Sequence, residues 1–142
     1  MSGTPPVRSR NLLLLDGDLR STNGLARLLR EDGFSVEVLC DGASAISRLS
    51  REPLPDTLVT EIIVPITDGV AVARFATEKR PDMRVIVVTR YPNLLGASSF
   101  GDACPAVLSK PLDYAQLLEL LEGTLAPAIA RPGALLPGAG EC

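Results

Sequence analysis

Asp16, Asp18, Glu61, Thr89 and Lys110 are the residues whose types and positions can carry chemistry in this sequence. Each lies in or just after an apolar stretch: Leu12 to Leu15, Thr57 to Val64, Met83 to Thr89, and Ala106 to Leu108. Carboxylates, a hydroxyl and an ammonium can bind a charged ligand together or pair with one another. They cannot build a serine or cysteine triad of the common kind, because the chain has no histidine to act as general base. Three cysteines, Cys40, Cys104 and Cys142, are an odd number without metal-ligand spacing, so neither zinc nor a disulfide framework is expected. Cys40 and Cys104 read as small core hydrophobes.

For these side chains to meet, the apolar stretches must lie side by side as strands. The chain alternates accordingly. Asn11 to Leu15 is a continuous apolar run of strand length ended by Asp16-Gly17-Asp18, as a strand buried on both faces would be. Leu25, Leu28 and Leu29 recur at helical spacing before Gly33, and a second strand follows over Phe34 to Leu39. Asp41 can cap a helix carrying Ala45, Ile46 and Leu49, which Pro53 and Pro55 end before the third strand, Thr57 to Val64. Asp68 can cap a helix through Val70, Ala73 and Ala76, and Met83 to Thr89 is a β-branched fourth strand. Asn93 to Gly101 has poor helical propensity and is read as a short fourth helix. Ala106 to Leu108 is a fifth strand, and Leu117, Leu118, Leu121 and Leu125 form the stripe of a last helix.

Five strand-helix units imply an α/β fold: a mostly parallel sheet covered on both faces, with right-handed crossovers. Its 142 residues, 46% hydrophobic, suffice for one core. Residues 1–9 read as a flexible leader, 10–125 as the domain, and 126–142, rich in Ala, Pro and Gly, as a tail or linker stub. With 14 basic against 17 acidic residues the domain shows no footprint for direct nucleic acid binding. No apolar run approaches the ~20 residues of a bilayer span and no leader of the secretory type precedes the fold, so no membrane contact and a cytoplasmic location are expected. In an open parallel sheet, ligands bind in the crevice at the carboxyl ends of the strands, where the five chemical residues above converge.

At these residues the chain resembles the receiver domains of two-component response regulators, over roughly Arg10 to Gly123. Leu12-Leu13-Leu14-Leu15-Asp16-Gly17-Asp18 is similar to the family's first strand and acidic cluster. Glu61-Ile62-Ile63-Val64-Pro65-Ile66-Thr67-Asp68-Gly69 is similar to its phosphoacceptor segment, and Val85 to Thr89 and Leu108-Ser109-Lys110-Pro111 to its switch threonine and lysine-proline motifs. The resemblance implies a flavodoxin-like sheet of strand order 2-1-3-4-5, a cis Lys110-Pro111 peptide, and transfer of a phosphoryl group from a histidine kinase to an aspartate with a divalent ion.

The pocket departs from that pattern. Glu61 stands at the phosphoacceptor position, its carboxylate displaced by on the order of 1.5 Å, and a misplacement of about 1 Å already costs orders of magnitude in rate. Asp16 matches one acid of the metal-binding pair, but Gly17 replaces the other, which weakens magnesium binding, since that ion demands near-ideal octahedral oxygen geometry. Arg90 follows the switch threonine where the family has a small residue, with a guanidinium able to fill the phosphoryl pocket. Val107 replaces the aromatic residue expected three before Lys110. Thr89, Lys110 and Pro111 match.

Two readings of Glu61 stand open: a built-in substitute for the phosphorylated acceptor, reaching Thr89 and Lys110, or a degenerate site ion-paired with Lys110 or Arg90. Asp16 and Asp18 are residual cation ligands, or pair with Lys110 and cap the first helix. The favoured function is a non-enzymatic, phosphorylation-independent atypical receiver acting through a protein partner or a fused output domain. A homodimer through the fourth helix, fifth strand and last helix is a further expectation. The alternative is a conventional phosphoacceptor using a displaced residue such as Asp56, Asp68 or Thr60. A flavin-binding protein of similar topology is disfavoured, because Asp16-Gly17-Asp18 would repel phosphate.

Overall fold

Buried leucines on consecutive positions start the fold: Leu12, Leu13, Leu14 and Leu15 are all in the core, as only a central strand covered on both faces requires. In the computed structural model, which describes residues 11–95 and 105–122, they form β1 (Asn11–Leu15), the hub of the sheet. Then follow α1 (Leu19–Glu31), β2 (Ser35–Leu39), α2 (Gly42–Leu49), β3 (Thr57–Thr60), α3 (Gly69–Lys79), β4 (Arg84–Thr89), a 3-10 turn (Pro92–Leu94), β5 (Ala106–Ser109) and α4 (Tyr114–Glu122). The five strands are parallel in the order β2-β1-β3-β4-β5, the order that the resemblance implies.

Alternation along β1 divides the core. Leu13 and Leu15, with Leu58, Val85 and Val87, meet Ala45 and Leu49 of α2 and Val72, Ala73 and Ala76 of α3. Leu12 and Leu14, with Val59, Ile86 and Val88, meet Ala26 and Leu29 of α1 and Leu117 and Leu121 of α4. Two helices therefore cover each face. Each of the first three begins at an aspartate whose side chain accepts a backbone N–H: Asp18 from Ser21, Asp41 from Ser44 and Asp68 from Ala71, satisfying donors that a helix start leaves unpaired. Gly33, at φ 96°, takes the left-handed conformation that turns the chain from α1 toward β2.

Several expectations shift. β3 stops at Thr60 rather than Val64; Ile62 and Val64 are buried without pairing, so core apolarity imitated a longer strand. Leu28 is exposed, and α1 buries Thr22, Ala26 and Leu29 instead. Cys40 is partly exposed rather than a core residue. Of the stretch Asn93 to Gly101 read as a fourth helix, only Asn93 to Leu95 is described, and its first two residues belong to the turn Pro92–Leu94; residues 96–104, Leu125 and the leader and tail lie outside the described residues, as do Cys104 and Cys142. Among the described residues no helix is long and apolar enough to cross a membrane.

Candidate functional site

Register brings the charged residues together. Leu15 pairs with Thr60, so Asp16 and Glu61 leave adjacent strands side by side, and Thr89 pairs with Ser109, which places Lys110 beside them. The backbone fixes each one: the Asp16 N–H donates to the Leu39 carbonyl (3.2 Å), the Glu61 N–H to Leu15 (3.0 Å) and the Lys110 N–H to Thr89 (2.9 Å). Lys110–Pro111 is a cis peptide.

Lys110 Nζ lies between the two acids, 2.8 Å from Asp16 Oδ2 and 2.9 Å from Glu61 Oε1. The other carboxylate oxygen of Glu61 accepts the Ile62 N–H at 2.8 Å, and the Thr89 hydroxyl donates to the same carboxylate. Thr89 Oγ1 in turn accepts the Tyr91 N–H at 3.0 Å. Asp16 Oδ1 accepts the Asp18 N–H at 2.9 Å. Glu61 is thus buried and fully engaged. Burial alone would push its pKa up, but the hydrogen bonds from Thr89, Lys110 and the Ile62 N–H outweigh it and hold the carboxyl below its ordinary 4.5. Burial likewise opposes the charge on Lys110, and the hydrogen bonds to Asp16 and Glu61 overcome it, raising the ammonium above its ordinary 10.5.

Asp18 turns away from this cluster. It is exposed, and its bond to Ser21 at the start of α1 holds its carboxyl below the usual range. Arg90 is also exposed, so its guanidinium does not fill the pocket; both pocket carboxylates pair with Lys110 instead. Val107 is exposed on β5, and Pro111 is exposed as well. The displaced candidates are committed elsewhere. Asp56 pairs with Arg80 at 3.0 Å and accepts the Asn11 N–H, Asp68 caps α3, and the buried Thr60 hydroxyl donates to the Glu61 carbonyl.

The site does not fit a divalent ion. Asp16 and Glu61 each give an oxygen to the ammonium, Gly17 offers no ligand, and among the described residues no group of three or more His, Cys, Asp or Glu is gathered for a metal. What the arrangement does chemically is satisfy itself internally: one cation is shared by two acids, with a hydroxyl and a backbone amide on Glu61, and the cluster keeps one negative charge in excess.

Sequence reasoning missed the supports of the loop after β3. The Pro65 carbonyl accepts the N–H of Gly42 and of Thr67, both at 2.9 Å. A Cβ on Gly42 would stand 1.9 Å from the Thr67 carbonyl oxygen, and one on Gly69 1.9 Å from that of Glu61. The Asp41-Gly42 and Asp68-Gly69 pairs were the available signal, though each also reads as a plain helix start.

Known proteins share this arrangement of elements. A family model described as the response regulator receiver domain matches residues 12–122. The chain is 33% identical over 120 residues to the response regulator receiver protein CpdR of Brucella abortus, across 84% of this chain and 99% of that protein. It is 30% identical over 115 residues to the response regulator MprA of Mycobacterium leprae, covering 80% of this chain but 50% of MprA, so it spans about half of that relative. A crystal structure of a response regulator receiver protein from Sinorhizobium medicae superimposes with a TM-score of 0.73 at 29% identity, over 81% of this chain and 93% of that one.

Proposed function

Because this chain belongs to the response regulator receiver family, we propose that it is a signalling module of a two-component-type pathway that works by protein contact without phosphorylation. One observation carries the reading: the Lys110 ammonium is shared by Asp16 and Glu61, at 2.8 and 2.9 Å. A phosphoryl group at Glu61 would have to break that pair and lose the Thr89 and Ile62 hydrogen bonds before gaining anything. The spent positions of Asp56, Asp68 and Thr60 support the same reading against a displaced acceptor.

In this proposal the module is not an enzyme and acts in the cytoplasm on a protein partner or an output domain, with no direct binding of nucleic acid or membrane. Residues 10–125 form the module between a leader and a tail. A homodimer through β5, α4 and the segment between β4 and β5 belongs to the same proposal, although most of that segment lies outside the described residues.

The test is a two-dimensional NMR titration of the labelled protein with magnesium and then beryllofluoride. Amides of Asp16, Glu61, Thr89 and Lys110 are expected to stay in place. Saturable shifts clustered on them would show a pocket that accepts a metal and a phosphoryl mimic, and the proposal would fail.

A further inference from the structure

At the amino end of the sheet, away from the pocket, lies a cavity of about 230 Å³, lined by Leu12 of β1, Val36 of β2 and the run Pro53-Leu54-Pro55 before β3. Arg48, which also lines it, ties these parts together. Its guanidinium pairs with Glu37 of β2 at 2.8 Å and donates to the carbonyls of Arg51 at 3.1 Å and Pro53 at 2.8 Å, so the loop before β3 is fixed against the edge strand and the cavity is preformed. Its volume is below the roughly 300–1,000 Å³ of a small-molecule pocket. A few small apolar side chains would fill it.

Asn11 stands at the same cavity and is pinned there: its N–H donates to Asp56 Oδ2 at 3.2 Å, and its carbonyl accepts the Asp56 N–H at 2.9 Å. The chain therefore enters the fold at the edge of the cavity, and the residues before Asn11 read Thr4-Pro5-Pro6-Val7-Arg8-Ser9-Arg10. A β-turn takes four residues, so Arg8 to Asn11 suffice to reverse the chain and bring Val7 and the two prolines back over the cavity. We propose that Pro5, Pro6 and Val7 dock in this cavity of their own chain, which makes the leader part of the folded domain in place of the flexible segment that its composition suggests. Proline enters such a contact with φ already fixed and loses little backbone freedom. The covalent tether supplies an effective concentration on the order of millimolar, so a contact too small to hold two separate molecules holds within one. Charge does not choose the occupant, since Glu37 at the cavity and Arg51 and Glu52 just before Pro53 are of both signs. Reach and apolar shape do. The inference is independent of whether the pocket at the other end of the sheet accepts phosphate.

The test is nuclear Overhauser spectroscopy on the full chain with labelled isoleucine, leucine and valine methyls. The Val7 methyls are expected to show contacts to those of Val36 and Leu54. Val7→Asp should remove these contacts and move the Val36 and Leu54 methyl signals, while the amides of Asp16, Glu61 and Lys110 stay in place. Val7→Ile, which keeps an apolar β-branched side chain, should retain the contacts. A sample that mixes two differently labelled copies reads the other occupant, the leader of a second chain: contacts between copies in place of contacts within one would overturn the proposal. So would Val7 methyls without any contact to the cavity, or Val36 and Leu54 signals indifferent to Val7→Asp.

Discussion

Replacing Lys110 with methionine keeps much of the side-chain volume while removing the charge that Asp16 and Glu61 share. At ~3 Å and an effective dielectric near 20, each contact is worth about 5 kcal/mol of gross attraction, most of it cancelled by desolvation of the groups involved. The cost of the substitution comes mainly from what it leaves behind. Glu61 has a side chain only 9% exposed and Asp16 one 19% exposed, so both would remain as adjacent, poorly solvated carboxylates without a cation. Removing one partner of a fully buried pair costs about 3–5 kcal/mol. Because this pair opens onto a crevice, and Glu61 keeps Thr89 and the Ile62 N–H, about 2–3 kcal/mol is the appropriate expectation. For a domain of this size that is a fall in thermal midpoint of roughly 6–12 °C.

The pH dependence makes the prediction specific. In the parent, the Glu61 carboxyl lies below its ordinary 4.5, so the stability it contributes is fully present above that value and is lost as pH falls through the depressed one. The raised Lys110 contributes stability that is present below its ordinary 10.5 and lost as pH rises past the raised value. Without the ammonium, the two carboxylates must take up protons more readily in the folded protein than in the unfolded chain, and acidification relieves the variant. Thermal unfolding followed by circular dichroism from about pH 7 to 4 should therefore show a large gap between parent and Lys110→Met that narrows toward the acid end. A gap independent of pH, or one that widens on acidification, would refute the ion-pair account of this site.

Restoring the two acids in the double variant Gly17→Asp, Glu61→Asp should bring back magnesium binding detectable by calorimetry, whereas Glu61→Asp alone should not, since it leaves the second ligand missing. Gly42→Ala and Gly69→Ala should each unfold or severely destabilise the chain, because the added Cβ meets a carbonyl oxygen at 1.9 Å. Gly24→Ala, within α1 and with nothing within 4 Å of the new carbon, should instead raise stability by about 0.5–1 kcal/mol in chemical denaturation.

What could be read before any coordinates depended on how local each signal is. The run Leu12 to Leu15 followed by Asp16 delimits β1 correctly because a doubly covered strand needs no alternation, and Asp18, Asp41 and Asp68 mark helix starts because a capping carboxylate acts on its own neighbours. Strand order came from resemblance, since alternation alone fixes only that the sheet is parallel. β3 was drawn too long, because Ile62 and Val64 are as apolar in a loop packed on the core as they would be in a strand. The partner of Glu61 stood between Lys110 and Arg90: both are cations, and only the register of β4 with β5 puts one beside the acid while the other faces solvent. Nothing local announces Ile66, whose type argues against the positive φ it adopts.

The closed pocket also bears on where control of such a module can reside. Its three charged residues are each tied by a backbone N–H to a neighbouring strand, Asp16 to Leu39, Glu61 to Leu15 and Lys110 to Thr89, so the fold itself sets their separations. A pocket arranged to respond to a ligand keeps some charge unsatisfied until the ligand arrives, and the difference between its two states is what the ligand acts on. Here Glu61 is matched by an ammonium, a hydroxyl and an amide at once; in the proposed reading this makes the closed arrangement part of folding and leaves an incoming anion little differential affinity to exploit. In the proposed reading, then, the surface beside the pocket is presented in one form, and selectivity falls to the protein contact made there.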